Sequence, residues 1–288
     1  MKKLLIFIMM TGLVMLWAAA GSAFVRYEDK HPKKIREIQF TGFLDYAPFG
    51  YTEYPDGVQY GRFFTVFQPM IDTLAEENNL KVKYNLYDRN YPMQIQKVRQ
   101  GEIDVALGAY HQTELFRGLE LIFPAAFINP VTVMMLPNRI NEVKTVDDLR
   151  KLKGVRTSRE QYSDFVEKQL KSFEIETVDN SYDLFERLFT KEADYIVIGQ
   201  YYGLIEASKL GLRSQISTAK QALWQVPVFV AVSKLSRERK MLSQKLTRYL
   251  EDEQNQKLLQ QNLIKIVNDA EINAQGIVPP TFGLEKSR

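Results

Sequence analysis

Apolar positions change spacing in a regular order along the chain. Residues 38–43 read as a strand. After a turn-rich stretch holding Pro48, Gly50, Pro55, Asp56 and Gly57, the apolar residues Phe63, Phe67, Met70, Ile71 and Leu74 fall at helical spacing, with Pro69 inside to bend or restart the helix. Residues 81–86 alternate as a strand, 93–100 form a short amphipathic helix ended by Gly101, and 103–108 form a short apolar strand. A βαβαβ order predicts a parallel sheet. A Val- and Met-rich segment, 127–136, contains Pro130 and leads into a second run: helix 145–152, strand 153–156, helix 160–173, strand 174–178, helix 181–189, strand 194–199 and helix 201–210. Gly211 suits the C-cap of the last helix. A Val-rich run, 226–232, and an amphipathic helical region from 237 to about 267 complete the pattern. Two βα runs separated by extended segments predict a chain that goes out to a second lobe and returns. No internal repeat or low-complexity tract is visible.

The N-terminus follows a different rule. Lys2 and Lys3 precede a charge-free, mostly apolar stretch over residues 4–20, followed by the small residues Gly21, Ser22 and Ala23, which is the pattern of a cleaved secretory signal over 1–23. A retained span is the alternative, since a membrane helix needs about 20 apolar residues. Residues 24–35 read as a short polar leader. The chain holds no cysteine, which excludes a lipid anchor on Cys, disulfides, thiolate metal sites and thiol nucleophiles. Loss of 1–23 removes two of 38 basic residues and none of 35 acidic ones, so the formal charge falls from +3 to +1. That balance offers no attraction for nucleic acid. His31 and His111 are the two histidines and form no pair for a metal or a triad; no G-x-S-x-G, phosphate-cradling glycine loop or H-E-x-x-H occurs. Asp45 and Asp104 read as turn or cap residues, and no cofactor or metal is expected.

The stretch Asp45-Tyr46-Ala47-Pro48-Phe49, then Gly101-Glu102-Ile103-Asp104-Val105, then Arg117 and Phe123-Pro124, resembles the family 3 extracellular solute-binding proteins, the amino-acid-binding type of ABC importers. The second half adds Thr145 to Leu149 before Gly154-Val155, and Ser181-Tyr182 before Ala193-Asp194-Tyr195-Ile196-Val197. The resemblance implies an α/β, type II periplasmic binding fold: two Rossmann-like lobes, 36–128 with 229–288 and 129–228, joined by a two-stranded hinge that lies within the second range. It also implies a ligand in the cleft between them, where facing strand ends converge.

By the same resemblance Tyr46 covers the ligand and Tyr91 offers the opposite ring, with packing inside a lobe as the alternative for each. Arg117 matches the family's carboxylate-binding arginine, whose fork suits two parallel hydrogen bonds; the alternative is an arginine in a solvated loop. The loop before it departs from the family pattern, placing Ala109, Tyr110, His111 and Gln112 where small hydroxyl residues are usual, and Tyr110 is a ligand-facing candidate. In the second lobe Ser158 either meets the ligand or caps a helix, and Arg159 either offers a second cation or faces solvent. Gly199 and Gln200 stand where the family places an acid for the ligand's amino group. Because an unpaired buried charge is costly, this favours a carboxylate, a neutral polar solute, or an amine paired by another acid such as Glu160. Trp224 either lines the cleft or packs in the core. The implied protein is a non-catalytic periplasmic monomer that delivers a small solute to an inner-membrane ABC permease. The alternatives are a partner of a membrane sensor, or a dehydratase-like enzyme on the same fold.

Overall fold

The architecture is that of a computed structural model, described over residues 35–42, 50–53, 60–63, 66–85, 91–111, 114–158 and 160–282. The N-terminal apolar stretch and leader, to residue 34, lie outside these residues, as do Tyr46 and Arg159. Its first half runs β1 (Arg36–Gly42), α1 (Gln68–Asn78), β4 (Leu80–Tyr84), α2 (Tyr91–Gln100) and β5 (Val105–Tyr110), with a separate hairpin of β2 (Gly50–Glu53) and β3 (Tyr60–Phe63). The long β6 (Glu120–Met135) leads to β7 (Gly154–Thr157), α3 (Asp164–Leu170), β8 (Ile175–Val178), α4 (Ser181–Phe189), β9 (Tyr195–Gly199) and α5 (Gln200–Lys209). The chain returns through β10 (Ser217–Thr218) and β11 (Trp224–Val232) and ends in α6 (Arg239–Glu251) and α7 (Glu253–Asn273).

The strands form one nine-stranded sheet in the order β4-β1-β5-β11-β6-β9-β7-β8, with β10 on β6. β1 pairs parallel with β4 and β5, and β7 pairs parallel with β8 and β9. The two βαβαβ halves therefore repeat one topology, although the sequence shows no repeat. β11 and β6, antiparallel to each other and to β5 and β9 respectively, join them. β5 and β9 are buried at every position, as strands covered on both faces must be.

A second device is also repeated. The Asp104 carboxylate accepts the Gln39 amide of the neighbouring strand at 2.9 Å and the Ser236 hydroxyl at 2.6 Å. Asp194, at the matching place before β9, accepts the Lys153 amide at 2.8 Å and pairs with Arg139. Each acid satisfies an amide at the entry edge of its half-sheet. Gly101 ends α2 at φ +78°, and a Cβ there would lie 2.9 Å from the Leu235 Cβ. The glycine and aspartate of the first motif thus build the end of the sheet opposite Tyr110.

Five elements differ from the sequence reading. Pro69 sits in the first turn of α1, where its missing N–H costs nothing, so it starts the helix, and Phe63 belongs to β3. Residues 146–151 form a 3-10 turn, because Asp148 accepts the Lys144 and Thr145 amides at 2.9 and 2.8 Å. The expected helix 160–173 is only α3. The expected single C-terminal helix is broken at Asp252, whose side chain accepts the Gln254 and Asn255 amides and caps α7. β6 begins at Glu120, well before residue 127.

Candidate functional site

In each half the first strand lies between the second and third, so the chain reverses direction across the sheet between β1 and β5, and again between β7 and β9. Crevices in open α/β sheets open at such reversals, beyond the carboxyl ends of the strands. In the second half this point is filled. Glu160, 2% exposed, turns back so that its Oε1 accepts the Gly199 amide at 2.8 Å. Arg156 donates to the Glu160 carbonyl, makes a fork to Glu167 at 2.8 and 3.0 Å, and lies 5.4 Å over the Tyr162 ring. These bonds keep residues 160–163 out of helical geometry. Burial opposes ionisation of Glu167, but Arg156 and the Tyr162 amide outweigh it and hold its pKa below the usual carboxylate range. Burial, with the Glu160 charge beside it, pushes the Tyr162 hydroxyl well up.

In the first half, β5 carries an extra residue. Ala109 pairs with Phe229 and Leu107 with Val230, leaving Gly108 as a bulge at φ +84°. A bulge of this kind re-aims the residues beyond it. Tyr110, 4% exposed, accepts from the Asn129 amide group of β6 at 3.0 Å. β6 breaks register with β11 at the same level, around residues 123–126. His111, Phe123 and Phe229 gather there with ring centroids 5.0 to 6.2 Å apart.

A recess of about 430 Å³ opens beside this junction, lined by Tyr110, His111, Phe116, Arg117 and Leu121, with Asp164 of the second half. Of the residues singled out from sequence, Tyr110 and Arg117 are brought together here. Arg117 is exposed and pairs with Glu114 at 2.6 Å, while its carbonyl accepts from Arg99 at 3.1 Å. Tyr91 opens α2, and its side chain, like Tyr46 and Arg159, lies outside what is described. Ser158 caps no helix: it is exposed, its amide donates to the Val178 carbonyl at 2.8 Å and its hydroxyl to Asp179 at 3.4 Å. Gln200 is the half-buried first residue of α5. Trp224 is buried in the core, its indole N–H donating to Gln169. Sequence reasoning missed Asp164, which reads as an ordinary first-turn acid, and Asn129, which is hidden in an apolar strand.

No family model matches the chain, and no curated relative matches it. Solved structures do match. An amino acid ABC transporter substrate-binding protein from Streptococcus pneumoniae, bound to L-arginine, has 15% identity and a TM-score of 0.61, over 81% of this chain and 94% of that one. The GluR0 ligand-binding core in complex with L-glutamate has 13% identity and a TM-score of 0.61, over 80% and 98%. An ancestral amino-acid-binding protein, a precursor of cyclohexadienyl dehydratase, has 16% identity and a TM-score of 0.59, over 79% and 95%. The fold is therefore the type II periplasmic binding fold. No helix among the described residues is long and apolar enough to cross a membrane.

Proposed function

We propose that this chain is an exported solute-binding protein that captures a small polar or acidic organic solute by closure of two lobes and delivers it to an inner-membrane ABC permease. The lobes are 36–128 with 229–288, and 129–228. The observation that carries the reading is the recess at the end of β5, where Arg117 of one half and Asp164 of the other offer opposite charges to one small molecule. Arg117 presents its fork to a carboxylate, and Asp164 accepts from a hydroxyl, amide or ammonium group. The carboxylate–guanidinium pair beside it, Arg156 with Glu167, is satisfied within the chain and serves as scaffold, which supports a binding rather than a catalytic role. The solutes named with the similar structures, L-arginine and L-glutamate, both carry a carboxylate. The likeness to the GluR0 ligand-binding core supports a second reading, in which the closed form reports to a membrane receptor.

The test is a thermal-shift screen of residues 24–288 against amino acids, organic acids, amines and small sugars, with recovery of the solute. A solute at one hundred times its Kd stabilises by about 2.7 kcal/mol, which raises the Tm by roughly 5–10 °C in a chain of this size. A hit recovered unchanged supports solute binding. Conversion of the hit would establish an enzyme, and the absence of any shift from a folded sample would refute solute capture.

A further inference from the structure

Besides β6 and β11, the chain crosses between the two half-sheets a third time. α7 is anchored to the first half and its junction: the Asn262 amide group donates to the Val66 carbonyl before α1 at 3.4 Å, and Gln256 to the Ala125 carbonyl at 3.1 Å. Its other end packs on α5 of the second half, where Arg213 donates to Glu271 at 2.8 Å. The backbone after α7, although its place in the chain counts it with the first lobe, packs on that half. Gly211, at φ +68°, lets it pass so closely that a Cβ would meet the Ile277 carbonyl oxygen at 2.6 Å and the Pro279 nitrogen at 3.3 Å. Phe282 then stacks on Phe189 at 5.3 Å and 21°, and meets Tyr182 at 5.3 Å, so that it touches both ends of α4.

We propose that residues 274–282 form a strap that limits how far the second half swings about β6 and β11. The register breaks of β5 and β6 against β11 meet at Phe229, which makes that level the place where the sheet bends most easily. A swing there moves α4 and α5 relative to the first half. α7 stays with the first half through Asn262 and Gln256 while the strap holds α4 and α5, so a wide swing must shear the Phe282 stack or the Glu271–Arg213 pair. The strap therefore sets the population of widely open forms, and through it the solute affinity of a protein that binds by closure. This inference rests on the two-lobe reading of function.

The chain has no cysteine, so Glu76→Cys on α1 and Lys168→Cys on α3, both exposed, carry paired spin labels without background. Label-to-label distance distributions are measured without solute for the parent, for Phe282→Ser and for a chain ended at Asn273. The expected result is a distribution that broadens toward longer distances in Phe282→Ser and further in the shortened chain, while each still melts cooperatively. A distribution unchanged from the parent in folded variants overturns the proposal. If the shortened chain does not fold, Phe282→Ser and Glu271→Gln decide it by the same reading. A blank solute screen alongside a broadened distribution would refute solute capture and leave the strap standing.

Discussion

The Glu160 carboxylate accepts the Gly199 amide at 2.8 Å, so an acid on the loop after β7 closes the end of β9. Gly199 is buried, so its N–H depends on partners within the protein. Glu160→Ala should therefore cost about 1–3 kcal/mol, the desolvation penalty of a buried donor left unpaired. Glu160→Gln keeps an acceptor oxygen and should cost less. Urea unfolding of both variants checks this, and equal losses would remove the bond from the account.

Acid should loosen the Arg156–Glu167 fork. A carboxylate whose folded pKa is depressed contributes stability that is fully present above its unfolded pKa of about 4.3 and is lost as pH falls through the folded value. Wild type should lose stability between roughly pH 5 and 3. Glu167→Gln should start about 1–3 kcal/mol lower at neutral pH and fall less steeply; it should still fall, because Asp148, held low by the Lys144 and Thr145 amides, and Asp194, partly buried but held low by Arg139 and the Lys153 amide, still titrate. Parallel pH curves for the two proteins would show that Glu167 does not contribute.

Arg117 and Glu114 are 77% and 73% exposed, and such a pair contributes about 0–1 kcal/mol. A solute carboxylate can displace Glu114 at that small cost. Arg117→Ala should leave the melting temperature nearly unchanged and, where lobe closure buries the Arg117–carboxylate pair, weaken an acidic solute by more than about 2 kcal/mol. Glu114→Gln should tighten it. Unchanged affinity on calorimetric titration of Arg117→Ala would take that residue out of the site.

Gly101→Ala should destabilise by more than about 1 kcal/mol, through a strained φ and the approach of Leu235, while leaving solute affinity intact. A loss of affinity at undiminished stability would mean that the motif around Gly101 serves binding directly.

The order of elements was legible because apolar spacing is set by the same burial that builds the sheet, as at Ile38 and Phe40 or along 194–199. Three of the five boundaries that failed share one cause. Asp148 and Asp252 capture neighbouring backbone amides and Glu160 a distant one, each with a carboxylate, and such bonds override helical periodicity without changing it. The site was less legible than the fold. Gly101 and Asp104, among the clearest motif residues, turn out to build the sheet's far end, and Tyr110 owes its direction to a bulge at Gly108 that no spacing reveals. Asp164 reaches the recess through tertiary placement alone.

One apolar cluster runs from Phe40 in β1 through Val131 and Val228 in the joining strands to Phe185 in α4. The first half keeps a second, smaller cluster around Ile95, Ile103 and Phe116, but the main one is shared by both halves, so neither half should melt by itself. Heating should give a single calorimetric transition whose enthalpy equals the van 't Hoff value, and a cavity cut at Phe185 should lower the melting point reported by probes in β1 as much as by probes in β8.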